Sequence, residues 1–332
     1  MINAQLRLGV IGAGQHSRTR VLPAITRLPN VRLAAICDLA PARSAGAASQ
    51  YAVPSVYTDY RELFASANLD AVAICAGPQV HTQLSIEAMR VGLPVFIEKP
   101  PAVSAAAAAE IWSVSRHTGR ICMVGFRKRF ATAYRKANAI VGSLEFGAPT
   151  LLSILRSSGP FAEDPDLPTT WFLLDFAIHV IDLARYMCGE VVEVFAWKVH
   201  RSTYAVNLRF ANGALGVLAL TADHGWASCE ERVEITSAAR HIVQIEYGVE
   251  LKHLVEADVR SIYRPNFTTT GGDSFIETGL LGELVEFVAA VREQREPESN
   301  IESACRTMLL YEAIRDSATA GELRAVGSLQ GM

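Results

Sequence analysis

Short apolar runs alternate with longer amphipathic stretches through the first third of the chain. LRLGVI from Leu6, VRLAAIC from Val31, DAVAICAG from Asp70, LPVFIEK from Leu93 and RICMVGF from Arg120 carry few polar interruptions. Strands buried on both faces read this way. Ser55–Tyr57 adds a shorter strand. Helical patterns fall between them: Arg18–Leu28, Ala42–Tyr51 entered through Pro41, TDYRELFAS capped by Asp59, and Gln79–Val91 ended by Gly92. An alanine-rich stretch runs from a Ser104 cap to about His117, and alanine is the best helix former. Strands alternating with helices predict a doubly wound parallel sheet, with ligands gathering at the carboxyl ends of its strands. Past about Thr150 the pattern changes. A helical segment, WFLLDFAIHVIDLARYM, precedes the strands VVEVFAWKVH, YAVNLRF, ALGVLALTAD, EERVEIT, HIVQIEYG and VELKHLVEA. Asn212-Gly213 is a strong hairpin signal. Consecutive strands with tight turns predict an α+β domain on a large, mostly antiparallel, open-faced sheet. Helices near Leu281–Arg295 and Ile301–Ala320 close the chain. The expected division is an α/β domain at 1–126 and a second domain at 127–332. An open apolar sheet face commonly pairs with another subunit. The Pro- and acid-rich segment 158–171 reads equally as a surface loop or a lid.

Composition narrows the possibilities. The chain has 332 residues, 50% hydrophobic and 20% charged, with a net charge of −3 and a pI near 6.3. Two domains fit that length. The charge gives no support to nucleic-acid binding, which calls for a basic face. No apolar run approaches the ~20 residues of a membrane span. The N-terminus enters the first strand with no basic segment and no cleavage site, so a cytoplasmic protein is expected. The six cysteines lack C-x-x-C spacing and read as reduced core residues rather than as a metal site or disulfides.

The first strand runs into Gly12 and Gly14, with Ser17 where a G-x-G-x-x-G fingerprint has its third glycine. Such a turn sets a pyrophosphate on backbone N–H groups at a helix N-terminus, in a Rossmann dinucleotide-binding domain. Alone it is an ordinary tight turn. Asp38, 24 positions after Gly14 at a strand end, strengthens it, because an acid there binds ribose hydroxyls. Gln15 and His16 open the helix, and Ala76 lies in the strand-end segment Cys75–Pro78. These residues are candidate cofactor contacts.

Two constellations suit catalysis. Glu98-Lys99-Pro100 follows a buried strand, where an ammonium can stabilise a developing alkoxide. A surface Glu-Lys pair explains the tripeptide too. Asp175 and His179 have i, i+4 spacing on a helix, with Asp182 as a third polar group. A carboxylate beside a histidine suits a general base, and a helix histidine satisfied by its neighbour fits as well. A zinc site needs a third ligand, which nothing in the sequence nominates, so no metal is expected.

GAGQHS, AICD, Pro78 with His81, FIEKP, VGFRKRF and the D-x-x-x-H-x-x-D pattern together resemble the glucose–fructose oxidoreductase, inositol dehydrogenase and MocA family over nearly the whole chain. The resemblance implies a Rossmann domain, NAD or NADP, and sugars or cyclitols as substrates. It implies that Lys99 binds and polarises the reacting hydroxyl, that His179 is the acid/base, and that Asp175 contacts substrate. Glu98 and His81 then lie near the cofactor, and a homodimer or homotetramer is expected. Ala177 stands where the family usually has glycine, at the substrate edge. Asp38 with no adjacent Arg favours NAD, while Arg43 keeps NADP open. Arg129, Arg156, Trp171 and Trp226 are candidates for substrate contact or for packing. The reading is an NAD(P)-dependent hydride transfer. NAD-dependent glycoside cleavage by transient oxidation and a non-catalytic NAD(H)-binding regulator are the alternatives.

Overall fold

Six strands with almost no polar side chains cannot face water on either side, and the chain resolves this by covering both faces of one parallel sheet. The computed structural model describes residues 5–160, 171–200, 202–256, 258–267 and 272–329. The strands are β1 (Leu6–Ile11), β2 (Val31–Cys37), β3 (Ser55–Tyr57), β4 (Ala71–Ile74), β5 (Val95–Ile97) and β6 (Cys122–Val124), in the order β3-β2-β1-β4-β5-β6. Every pairing is parallel. Strand order reverses between β1 and β4, so their carboxyl ends flank the ligand crevice of a Rossmann fold. Val10, Ile36, Val72, Ile74, Phe96 and Ile97 are fully buried in this sheet.

This first compact unit comprises 1–126 and also 280–305. The later segment caps an exposed sheet edge. Ser299 accepts from the Val124 amide at 2.8 Å through its carbonyl, and its hydroxyl donates to the Val124 carbonyl at 2.8 Å. An edge so paired cannot recruit a foreign strand. The helix Leu280–Glu293 packs Phe287 against Phe96, with ring centroids 5.8 Å apart.

The second unit comprises 127–279 and 306–332. Its sheet has nine strands: β7 (Pro149–Ser157), β8 (Val191–Val199), β9 (Thr203–Phe210), β10 (Leu215–Thr221), β11 (Glu231–Ser237), β12 (His241–Glu246), β13 (Glu250–Val255), β14 (Asp258–Tyr263) and β15 (Arg324–Ala325). Their order is β14-β13-β12-β11-β7-β10-β9-β8-β15, antiparallel except between β7 and β10. Alternation is clean in β9, where Tyr204, Val206, Leu208 and Phe210 are buried while Ala205, Asn207 and Arg209 are exposed. The β9–β10 turn uses Gly213 at φ +89°, and the Asn212 side chain accepts from the Ala214 amide at 3.0 Å. The other face carries Leu215, Val217, Leu151 and Trp197 in the open. Sheet-forming segments that the sequence pattern does not reveal are β7, hidden in the change of texture near Thr150, β14, whose residues are mostly exposed, and the two-residue β15. Of the proline-rich 158–171 segment, 161–170 lie outside the described residues.

Candidate active site

At the end of β1 the backbone turns through Gly12 at φ +99°, and a Cβ there would collide with the Cys75 carbonyl oxygen. Only glycine fits. Gly14 has nothing within 4 Å of where a side chain would stand. Its carbonyl accepts from the Arg18 amide at 3.0 Å, starting a helix in which Ser17 is buried. Ser17 thus fills the close-packed place of the third glycine. Asp38, at the end of β2, accepts from the Ala13 amide at 2.7 Å and from the Ala40 amide at 2.9 Å. One carboxylate therefore holds both the glycine turn and the loop after β2. Gly12, Gly14, Asp38, Arg43 and Ala76 line one cleft of about 550 Å³. Small-molecule sites commonly span ~300–1,000 Å³. An open glycine turn, a helix start and a strand-end acid in one cleft fit the nucleotide half of a dinucleotide.

Glu98, Lys99 and Pro100 follow β5. His16 Nε2 lies 3.2 Å from Glu98 Oε1, and the Lys99 amide donates to Glu98 Oε2 at 3.3 Å. Burial pushes the Glu98 carboxyl up, but the His16 contact and the Lys99 charge outweigh it and hold it below the usual range. The Lys99–Pro100 peptide is cis. His81 is fully buried, and its Nδ1–H donates to the Pro100 carbonyl at 2.9 Å. Burial lowers the His81 pKa, favouring a neutral ring that anchors the segment carrying Lys99. Gln15 is exposed at the helix start.

In the second unit the expected single α-helix is corrected. Phe172–Ala177 forms a wider π-wound turn, and the α-helix runs Ile178–Cys188. Such turns recur at functional sites because they re-aim side chains. Asp175, Phe176 and His179 are half-buried, while Phe172, Leu173, Leu174, Ala177 and Ile178 are buried. The two polar residues thus emerge from an otherwise apolar segment. Asp182 does not join them. It is buried, accepts from Arg129 at 2.7 and 2.5 Å, and accepts from Thr307 Oγ1 at 2.9 Å. That network ties Arg129 into the buried packing of the second unit. Trp171 is half-buried and Trp226 is exposed.

A second cluster escaped the sequence reading. Glu231 opens β11 on the same face as Val233 and Ile235, buried with them. It accepts from the Lys128 ammonium, from Tyr134 Oη at 2.5 Å, and from Arg156 at 2.8 Å. The Arg156 guanidinium also covers the Phe176 ring at 4.4 Å. Burial pushes the Glu231 carboxyl up, yet Lys128 and Arg156 overcome this and hold it at about 2. The available signal was a charged residue in phase with buried apolar ones, opposite the basic run Arg127-Lys128-Arg129.

Comparison with known proteins places the chain in a family. Residues 6–126 match a family model described as an oxidoreductase family with an NAD-binding Rossmann fold, and 134–240 match the GFO/IDH/MocA C-terminal domain. An uncharacterized oxidoreductase, YrbE, of Bacillus subtilis is 32% identical over 252 residues, covering 70% of this chain and 71% of that one. A myo-inositol 2-dehydrogenase of Thermotoga maritima is 28% identical over 329 residues, covering 94% and 96%. The crystal structure of an oxidoreductase from Agrobacterium radiobacter in complex with NAD+, L-tartaric acid and magnesium superposes with a TM-score of 0.88 at 22% identity, covering 98% and 99%.

Proposed function

Since the chain belongs to the glucose–fructose oxidoreductase, inositol dehydrogenase and MocA family of NAD-binding oxidoreductases, we propose that it oxidises or reduces a secondary alcohol or ketone of a sugar or cyclitol. The observation that carries this reading is the pair Asp175 and His179, half-exposed where a π-wound turn passes into an otherwise buried α-helix. A relative that is a myo-inositol 2-dehydrogenase supports the polyol class. Bound in the cleft at Gly12 and Asp38, NAD supplies the hydride acceptor or donor. Asp38 would discriminate against NADP, because its carboxylate repels a 2′-phosphate.

The chain's own residues divide the remaining work. Glu98, steadied by His16, fixes the start of the segment that His81 anchors at Pro100. Lys99 hydrogen-bonds the reacting oxygen and favours its alkoxide character. His179 takes the hydroxyl proton in oxidation and returns it in reduction. Asp175 binds a neighbouring hydroxyl and orients the ring. Two copies would pair through the exposed face bearing Leu215, Val217 and Trp197, a proposal that light scattering tests.

A panel of sugars and cyclitols with both cofactors, read by absorbance of the reduced nicotinamide, tests the activity. Lys99→Met and His179→Ala should each lower kcat by at least ~100-fold while NAD still binds, given usual acid/base contributions. Normal turnover in both variants would contradict these roles.

A further inference from the structure

The second unit holds a pocket of about 130 Å³ that the hydride-transfer chemistry does not use. Arg127, Lys128 and Arg156 line it with Glu231, Tyr134 and Gly248. Three cations therefore face one carboxylate. That carboxylate already serves Lys128, Arg156 and the Tyr134 hydroxyl. Among the described residues no carboxylate ion-pairs with Arg127, whose guanidinium donates to the Thr278 carbonyl at 3.3 Å. A surplus of about two positive charges on buried and half-buried side chains attracts an anion more strongly than an exposed patch would.

The charges respond to one another as that surplus requires. Lys128 is pushed down to about 8 first by burial, then by Arg156 and Arg127, although Glu231 touches it. Glu231 is lowered by Lys128 and Arg156 against the effect of burial, while its ammonium partner is lowered by burial first and by the two guanidinium groups after it. Size narrows the ligand. At about 130 Å³ the pocket lies below the ~300–1,000 Å³ usual for whole small-molecule sites, so it suits one carboxylate or phosphate group of a larger ligand. Place narrows it further. Arg156 bridges from Glu231 to Phe176, the neighbour of Asp175, so the pocket borders the turn that carries Asp175 and leads into the helix of His179.

Resting on the oxidoreductase reading above, we propose that the substrate is an acidic sugar or cyclitol derivative whose carboxylate or phosphate is held by Arg127, Lys128 and Arg156. The reacting alcohol then belongs to the same molecule, and charge recognition selects it over neutral polyols.

Matched pairs test this with the NAD+-loaded protein: glucose against glucuronate, galactose against galacturonate, glucose against glucose 6-phosphate, and myo-inositol against an inositol monophosphate. Calorimetry reads affinity, and nicotinamide absorbance reads turnover. In at least one pair the acidic member should bind at least ~30-fold tighter, the scale of one or two charge-assisted contacts. Comparing uronates with phosphates distinguishes the two sources of the anion. Arg127→Gln spares all three bonds to Glu231. It should reduce that advantage by ~10-fold and leave the neutral member's affinity unchanged, while Arg127→Lys retains most of it. Acidic and neutral members binding alike in every pair would overturn the proposal, as would an acid advantage that survives Arg127→Gln. Reduction of NAD+ by neutral polyols without acid preference would overturn it while leaving hydride transfer intact. Arg127-dependent acid binding with no nicotinamide reduction would keep the anion site and overturn hydride transfer.

Discussion

The cleft at Gly12 and the pocket at Glu231 are built by opposite means. The cleft is backbone architecture: a positive-φ glycine, an open Gly14, and one carboxylate whose oxygens accept from Ala13 and Ala40 amides. The pocket is side-chain architecture, in which Glu231 is surrounded by Lys128, Arg156 and Tyr134 from distant parts of the chain. A backbone site binds through groups that every residue owns, so its demands fall on where side chains must be absent. A side-chain site binds through charges that must be buried together, so its demands fall on pairing. Substitutions should therefore fail differently in the two places.

The sharpest contrast is within the glycine turn. Gly12→Ala should abolish measurable NAD binding, at least ~100-fold, because the new Cβ collides with the Cys75 carbonyl and forces φ out of its glycine-only region. Gly14→Ala meets no atom in the protein, so it should leave the unfolding midpoint nearly unchanged and weaken NAD far less. Calorimetry beside thermal unfolding separates these outcomes. Equal losses in both variants would break the backbone account.

Next comes the buried pair in the second unit. Arg129→Met leaves the Asp182 carboxylate buried without its bidentate partner, and should cost about 3–5 kcal/mol in denaturant unfolding. Loss below ~1 kcal/mol would place Arg129 where the sequence reading first allowed it, among substrate contacts.

The smallest effect is a pH dependence. Glu231 is held at about 2, below its ordinary range near 4.5. Between those values the unfolded chain binds the proton and the folded chain does not, so stability rises with pH. The contribution is complete above pH 4.5 and is lost as pH falls toward 2. Glu231→Gln should lower stability at neutral pH and flatten the unfolding midpoint across that acid window. An unaltered slope would contradict the pairing.

What the sequence made legible follows the same division. The glycine turn and Asp38, which line one cleft, were legible as a dinucleotide fingerprint, because glycine turns and strand-end acids are local in the chain. The parallel, doubly wound character of the first sheet followed from apolar runs separated by helices, though its strand order did not. The second sheet was legible in kind through the alternation in β9 and the Asn212-Gly213 turn. It was not legible in full. β14 pairs through its backbone at a sheet edge and buries almost nothing, so it lacks a hydrophobic period. Arg129 and Asp182 lie 53 positions apart, and Lys128 and Glu231 lie 103 apart, so no spacing rule could pair them. The π-wound turn under Asp175 adds one residue to a turn whose sequence reads as plain α-helix.

Hydride transfer itself is tested most directly by isotope label. The panel's best alcohol is prepared with deuterium on the reacting carbon and oxidised with NAD+, and the reduced nicotinamide is weighed. Deuterium on the nicotinamide ring is the predicted result, lost along with turnover in His179→Ala. Deuterium kept in the product, or released to water while NAD+ remains oxidised, would contradict it.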